Sequence, residues 1–214
     1  MLNIVVVGYT STTEQFLSLI DTKKHQVTVV EKDPDKANEI QSKFDVMLIA
    51  KDMTDPEVYT KDIRMDTVDM LLALTDDNVV NLFVLTIGKL YNVPYRIARA
   101  SDPAIAELIT SLRLGVPLLE SSIVANLVKM YVEAVTPKEL GRVGEWRIYA
   151  LVVTETDRCA WKKVEEIGLP DDVTILLVFD GYAYRTLQPE EEIKPGYQLI
   201  VLTKTSDVTE VFKG

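Results

Sequence analysis

The first 120 residues alternate short β-branched runs with helical stretches, and this alternation constrains the fold more than any other feature of the chain. The runs VVV at 5–7, VMLIA at 46–50 and MLLAL at 70–74 are apolar throughout rather than at every second position. Strands of that kind are buried on both faces, as happens when helices cover both sides of a parallel sheet. The pattern predicts strands at Leu2–Val7, Gln26–Glu31, Asp45–Ala50, Val68–Leu74, Tyr95–Arg99 and Pro117–Leu119. Helices between them start near Ser11, Asp33, Asp55, Asp77 and Asp102, where an Asp or Ser caps the first turn and meets the positive end of the helix dipole. The implied fold is α/β, with a doubly wound, Rossmann-like parallel sheet over residues 1–120.

A long helix from about Ser121 to Val135 follows, and the segment TPKELGRVGE, with Pro137, Gly141 and Gly144, reads as a linker. Residues 121–141 are therefore a crossover helix and linker, and 142–214 a small α+β domain. The latter is predicted to hold strands at Glu145–Thr154, Val173–Asp180, Tyr182–Leu187 and Tyr197–Thr203, a short helix at Ala160–Ile167 and a closing helix from Ser206. The crossover helix carries Ile123, Val124, Leu127, Val128, Met130, Tyr131, Val132 and Val135, an apolar face too wide for one-sided packing. The stretch Asn78–Leu90 is similarly apolar. Both predict an obligate homo-oligomer built from dimers.

Charge and cysteine usage exclude several classes. Against 23 basic residues stand 33 acidic ones, and a net charge of −10 disfavours nucleic acid or an anionic membrane surface as the main partner. The single cysteine, Cys159, can form neither an internal disulfide nor a zinc cluster, and reads as a small apolar side chain in a reduced, cytoplasmic protein. No apolar run approaches the roughly 18–20 residues that span a bilayer, so direct membrane insertion is not expected. MLNIVVVG has no basic region or cleavage site of a leader peptide.

The candidate chemistry begins at the turn after the first strand, Gly8-Tyr9-Thr10-Ser11-Thr12-Thr13. A dinucleotide turn reads G-x-G-x-x-G because bare backbone can approach a pyrophosphate. Here only the first glycine is present. The hydroxyls of Thr10, Ser11, Thr12 and Thr13 offer phosphate donors, while Ser11 to Glu14 equally fits the S/T-x-x-E capping box. Glu31 follows Gly8 by 23 residues, close to the ~20 at which a carboxylate meets ribose hydroxyls, or else Glu31-Lys32-Asp33 opens a solvated turn. The strand ends at Lys51 to Asp55 and Thr75 to Asn78 would lie on the same carboxyl edge.

Taken in order, VVVG, VVEKDP, KDMTDPEV, LLALTDDNVVNL and RIARASDP resemble the regulator of potassium conductance family, the Trk/Ktr-type nucleotide-binding domain. KKVEEIGLPDDVTILLVF and LQPEEEIKPGYQLIVL resemble that family's C-terminal domain. The resemblance implies a non-enzymatic regulatory subunit, held to the inner face of the membrane by a potassium channel or transporter. It further implies a ring, usually of four dimers, gated by a ligand such as NAD(H), ATP, ADP or AMP. By motif match, Gly8, Tyr9, Thr10, Ser11 and Thr12 would face phosphates, Glu31 the ribose, Asp52 and Met53 the adenine, and Thr75 the cleft floor, with Lys32 also counted among the cofactor-binding residues. Arg99 would meet a phosphate or a neighbour's carboxylate, or pair locally, as with Asp102. Threonines at positions 10 and 13 and Lys51 stand where the family has glycine, predicting a weakened grip on the pyrophosphate. Ala73, Arg99 and Ser101 stand where calcium-gated members place acidic ligands, so no metal site is expected there. Two rivals remain: the gating portion of a one-chain channel, and an NAD-dependent oxidoreductase, for which the single histidine, His25, lies far from the cleft.

Overall fold

The computed structural model describes residues 1–204 and 208–213 and divides into two compact units, Met1–Ile123 and Val124–Gly214. In the first, six parallel strands run in the order β3-β2-β1-β4-β5-β6: β1 (Asn3–Val7), β2 (Gln26–Val30), β3 (Met47–Ile49), β4 (Met70–Ala73), β5 (Tyr95–Ala100) and β6 (Val116–Leu119). This is the doubly wound arrangement, and its strand order reverses between β1 and β4. Strand β1 is buried from Ile4 to Val7 and separates two apolar layers: Val5 and Val7 pack with Leu71, Val84 and Leu85, and Ile4 and Val6 with Leu17, Val29 and Ile40.

Helix starts follow the capping logic closely. Helices α2 (Pro34–Lys43), α3 (Asn78–Leu90) and α4 (Pro103–Ser111) each begin after an aspartate, Asp33, Asp77 or Asp102, whose carboxylate accepts two first-turn N–H groups. Proline at N1 of α2 and α4 adds a preset φ. Helix α1 (Ser11–Leu19) is capped by Thr10 rather than Ser11, so the capping box predicted over Ser11 to Glu14 is one residue out of phase. No α-helix starts at Asp55. Val58–Asp62 forms one turn of π-helix closed by Ile63 N–H donating to Val58 O at 2.9 Å. The five-residue spacing brings Val58 and Ile63 together into the core, and the Tyr59 hydroxyl anchors the turn on Met53 O at 2.7 Å.

In the second unit, helix α5 (Glu120–Glu133), which begins just before it, leads into an antiparallel sheet ordered β10-β9-β11-β8-β7. The predicted linker is corrected: Lys138–Val143 is strand β7, joined to β8 (Trp146–Val152) by the two-residue hairpin Gly144-Glu145, with Gly144 at φ +62°. An edge strand with mostly exposed residues has no alternation to betray it. Strand β9 (Val173–Phe179) and β11 (Gln198–Thr203) match expectation, while β10 shrinks to Tyr184–Arg185. The helix predicted over Ala160–Ile167 reduces to a 3-10 turn at Val164–Glu166. Backbone donors there cross to a neighbouring segment instead: Trp161 N–H donates to Ile193 O, Val164 N–H to Glu191 O and Glu165 N–H to Pro189 O. Helix α6 spans Thr209–Phe212; Ser206, the expected start, lies outside the described residues. Cys159 is fully buried, and burial pushes its thiol up to about 11. Among the described residues no helix is long and apolar enough to cross a membrane.

The apolar surplus on α3 is largely absorbed by its own unit: Val84 and Leu85 are buried, Val80, Leu82, Phe83 and Ile87 pack on the core, and Val79 and Leu90 remain mostly exposed. Helix α5 buries no residue fully. Along and just beyond it Ile123, Val124, Val128, Val132 and Val135 are each at least half exposed.

A buried ion pair closes the second unit. Lys213 Nζ lies 2.7 Å from Asp157 Oδ2 and 2.6 Å from Val152 O, with the two side chains 10% and 7% exposed. Burial alone would raise the Asp157 carboxyl, but Lys213 and the Thr154 N–H outweigh it and hold it below the usual range. A depressed carboxyl stabilises above its unfolded value of about 3.9, and that contribution is lost as pH falls toward the folded pKa. Asp157→Ala is expected to cost about 2 kcal/mol near neutral pH, with the difference from wild type shrinking below about pH 4. Both tryptophans, Trp146 and Trp161, lie in this unit, so denaturant titrations followed by their fluorescence measure the effect.

Candidate functional site

A cavity of about 480 Å3 opens at the carboxyl ends of β1, β2, β3 and β4, at the point where the strand order reverses. Its position is the one at which open parallel sheets accept ligands, and its volume lies within the usual range for small-molecule sites. Gly8 makes the crevice possible. It adopts φ +90°, and a Cβ there would sit 2.5 Å from Thr75 Cγ2, so a side chain would be strained and would have to displace Thr75, just past the end of β4.

Glu31, buried at the end of β2, clasps the back wall. Its Oε2 accepts from Tyr9 N–H at 2.9 Å and its Oε1 from Asp33 N–H at 2.9 Å, tying the glycine turn to the start of α2. Each oxygen keeps a second lone pair for a ligand hydroxyl. Asp52, beyond β3, accepts from Thr54 N–H and Oγ1 at 2.9 and 2.7 Å and from Lys32 Nζ at 3.1 Å. The two Thr54 hydrogen bonds, then Lys32, depress its carboxyl to about 2, so it is an anion over the working pH range. Met53 and Val80 supply apolar lining.

The floor is a buried polar knot. Thr75 Oγ1 donates to Asn81 Oδ1 at 2.8 Å and accepts from Asp77 N–H at 3.1 Å. Asn81 Nδ2 donates to Thr75 O at 2.9 Å and Arg99 O at 3.0 Å, clamping the ends of β4 and β5. In the sequence Asn81 is marked only as one polar residue inside the apolar run VVNLFVL.

The threonine hydroxyls of the turn point elsewhere. Thr10 Oγ1 donates to Leu74 O at 3.1 Å, Thr13 Oγ1 to Gly8 O at 2.8 Å and Thr12 Oγ1 to Glu120 Oε1 at 3.0 Å. A hydroxyl has one proton, so these three are engaged within the protein. Of the sequence-selected residues, Gly8, Tyr9, Thr10, Glu31, Lys32, Asp52, Met53 and Thr75 line the cavity, while Ser11, Thr12 and Arg99 do not. Arg99 is held by Asp76, and by Glu120 at 2.9 Å, rather than by Asp102. Lys36 also lines the cavity and donates to Tyr9 O at 3.0 Å; it lies in the first turn of α2, where sequence spacing gives no sign of its aim. Five carboxylates (Glu31, Asp33, Asp52, Asp76, Asp77) and two lysines line the cavity, a formal charge of −3. Among the described residues no cluster of three or more His, Cys, Asp or Glu side chains could hold a metal ion.

Comparison with known proteins follows this division. Residues 4–119 match the TrkA-N domain and residues 148–213 the TrkA-C domain. A protein from Pyrococcus horikoshii described as a Trk system potassium uptake protein TrkA homolog is 27% identical over 206 residues, covering 91% of this chain and 89% of its own. Among solved structures, the GsuK channel bound to NAD superimposes with a TM-score of 0.64 at 18% identity, over 98% of this chain and 39% of the channel's. The Shewanella denitrificans Kef C-terminal domain in its AMP-bound form gives 0.51 at 18% identity, over 63% of this chain and 80% of its own. The chain thus belongs to the TrkA-N domain family, with a TrkA-C domain following in the same polypeptide.

Proposed function

We propose that this chain is a ligand-sensing regulatory component of potassium transport: a non-enzymatic subunit that oligomerises beneath a membrane channel or transporter and gates it. The observation that carries the ligand half of this reading is the switch-point cavity with Glu31 and Asp52 on its walls. Glu31 retains acceptor capacity for ribose hydroxyls, and Asp52 with Met53 can receive the amino group and face of an adenine. The proposed ligand is an adenine nucleotide, AMP, ADP, ATP or NAD. NAD and AMP are named with two proteins of the same fold. The potassium half rests on the pairing of TrkA-N with TrkA-C and on the match to the Pyrococcus relative over 89% of its length. The gating portion of a one-chain channel is the second reading, favoured by the GsuK chain, of which this chain spans 39%.

Helix α5 supports association. Its exposed Val124, Val128 and Val132 repeat at four-residue intervals, forming one apolar stripe. Burying such surface yields about 25 cal/mol per Å2. The proposed assembly is a dimer repeated into a ring, with an octamer as its expected closed form.

Calorimetry on ligand-stripped protein tests the site: AMP and ADP should bind more tightly than NAD, because the turn lacks two glycines and its threonine hydroxyls face inward. Glu31→Ala should weaken every adenosine ligand about tenfold or more, a decade being ~1.4 kcal/mol. NAD binding tighter than AMP and ADP, or an indifferent Glu31→Ala, would contradict this assignment. Light scattering tests the assembly. Wild type should be oligomeric at micromolar concentration and Val124→Lys combined with Val128→Lys should lower its mass, whereas a monodisperse wild-type monomer refutes the oligomer.

A further inference from the structure

Strand β11 alternates: Leu199 and Val201 enter the core of the second unit, while Gln198 and Ile200 point to the opposite face of the sheet. Helix α5 stands over that face. Its C-terminal end is fixed there by Val152 N–H donating to Ala134 O at 2.6 Å and by Tyr131 against the Phe179 ring, with centroids 6.5 Å apart. Between helix and sheet lies a cavity of about 310 Å3, separate from the switch-point cleft, and every residue lining it belongs to the second unit. We infer that this cavity binds a small aromatic carboxylate that also carries a hydrogen-bond acceptor, and that Gln198 reads the acceptor.

Gln198 is only 3% exposed. Its Oε1 accepts from the Tyr184 hydroxyl at 3.2 Å, yet among the described residues no acceptor meets its Nε2 protons. A buried amide with unmade donor bonds is costly, and an acceptor placed in the cavity that it lines relieves the cost.

The rest of the lining sets the other two features. Lys129 and Lys138 face a single carboxylate, Glu133, at 3.5 and 2.7 Å, so the wall is locally cationic in a chain whose net charge is −10. Each ammonium has three protons and turns one to Glu133, which leaves others for a bound anion. Met130, Leu140 and Ile200 supply apolar walls. The Tyr184 ring, its hydroxyl 3.9 Å from Met130 Sδ, offers a flat face for an aromatic ring. Asn126 and Met130 turn toward the cavity, whereas Val124, Val128 and Val132 lie two positions away, about 200° round the helix, so the apolar stripe proposed for association leaves this site uncovered.

The experiment is calorimetry on the full-length protein with three probes. The first is meta-acetylbenzoate; meta-ethylbenzoate keeps its charge and outline without the ketone, and methyl meta-acetylbenzoate keeps the ketone without the charge. Meta-acetylbenzoate is expected to bind about tenfold more tightly than either of the others. Gln198→Leu should erase its advantage over meta-ethylbenzoate. Lys138→Gln, at an exposed position on the edge strand β7, should weaken both carboxylates about fivefold and leave the ester unaffected. Denaturation followed by tryptophan fluorescence establishes that the variants fold; should Gln198→Leu not fold, the three wild-type affinities and Lys138→Gln decide alone. Absence of meta-acetylbenzoate binding at millimolar concentration, meta-ethylbenzoate binding as tightly as the ketone, or a Lys138→Gln variant that binds all three probes like wild type overturns the inference.

Discussion

At the end of β1 the chain turns at Gly8 with φ +90° while passing so close to Thr75 that a single methyl group would overlap it. The cleft, the paired ends of β1 and β4 and the start of α1 all depend on that approach. Thr13, fully buried, secures the turn by donating to the Gly8 carbonyl, and Glu31 holds it from the other side through the Tyr9 amide. Stiffness of this kind is what a binding site needs, because a ligand then meets groups already in position.

The same contacts give the cleft its chemical character. Threonines where a dinucleotide turn has glycines fill the space next to the backbone and satisfy their own hydrogen bonds inside the protein. The wall is left rich in acceptors, with Lys32 paired to Asp52 and Lys36 held on the Tyr9 carbonyl. Thr12 and Arg99 both end on Glu120, the first residue of α5. The turn and the β5 end are thereby both tied to the first residue of that helix.

In the second unit, stability comes from cross-strand burial with a polar lock at the end of the chain. Tyr149, Leu151 and Val153 on one side and Leu199 and Val201 on the other form a continuous apolar layer. Lys213 and Asp157 close it through an ion pair whose remaining hydrogen bonds go to backbone groups. Helix α5 joins this unit by donating nothing fully buried of its own. Its valine stripe is the apolar surface that the unit's own core leaves uncovered.

Sequence alone determined the elements whose signal is local: six parallel strands, the Asp-Pro helix starts at 33–34 and 102–103, and the gathering of Gly8, Glu31, Asp52 and Thr75 on one sheet edge. Periodicity and capping act over a few residues, and parallel order then brings the strand ends together. Tertiary structure alone decided where the polar groups of those ends point. Thr10 finds its acceptor 64 residues away and Thr12 finds one 108 residues away. Arg99 chose Asp76 and Glu120 over nearby Asp102. The π-turn at Val58 and the edge strand at Lys138 likewise answer to packing and cross-strand bonds, not to propensity. A hydrogen bond between distant segments exists only once the sheet register brings them together, and no local pattern encodes that register.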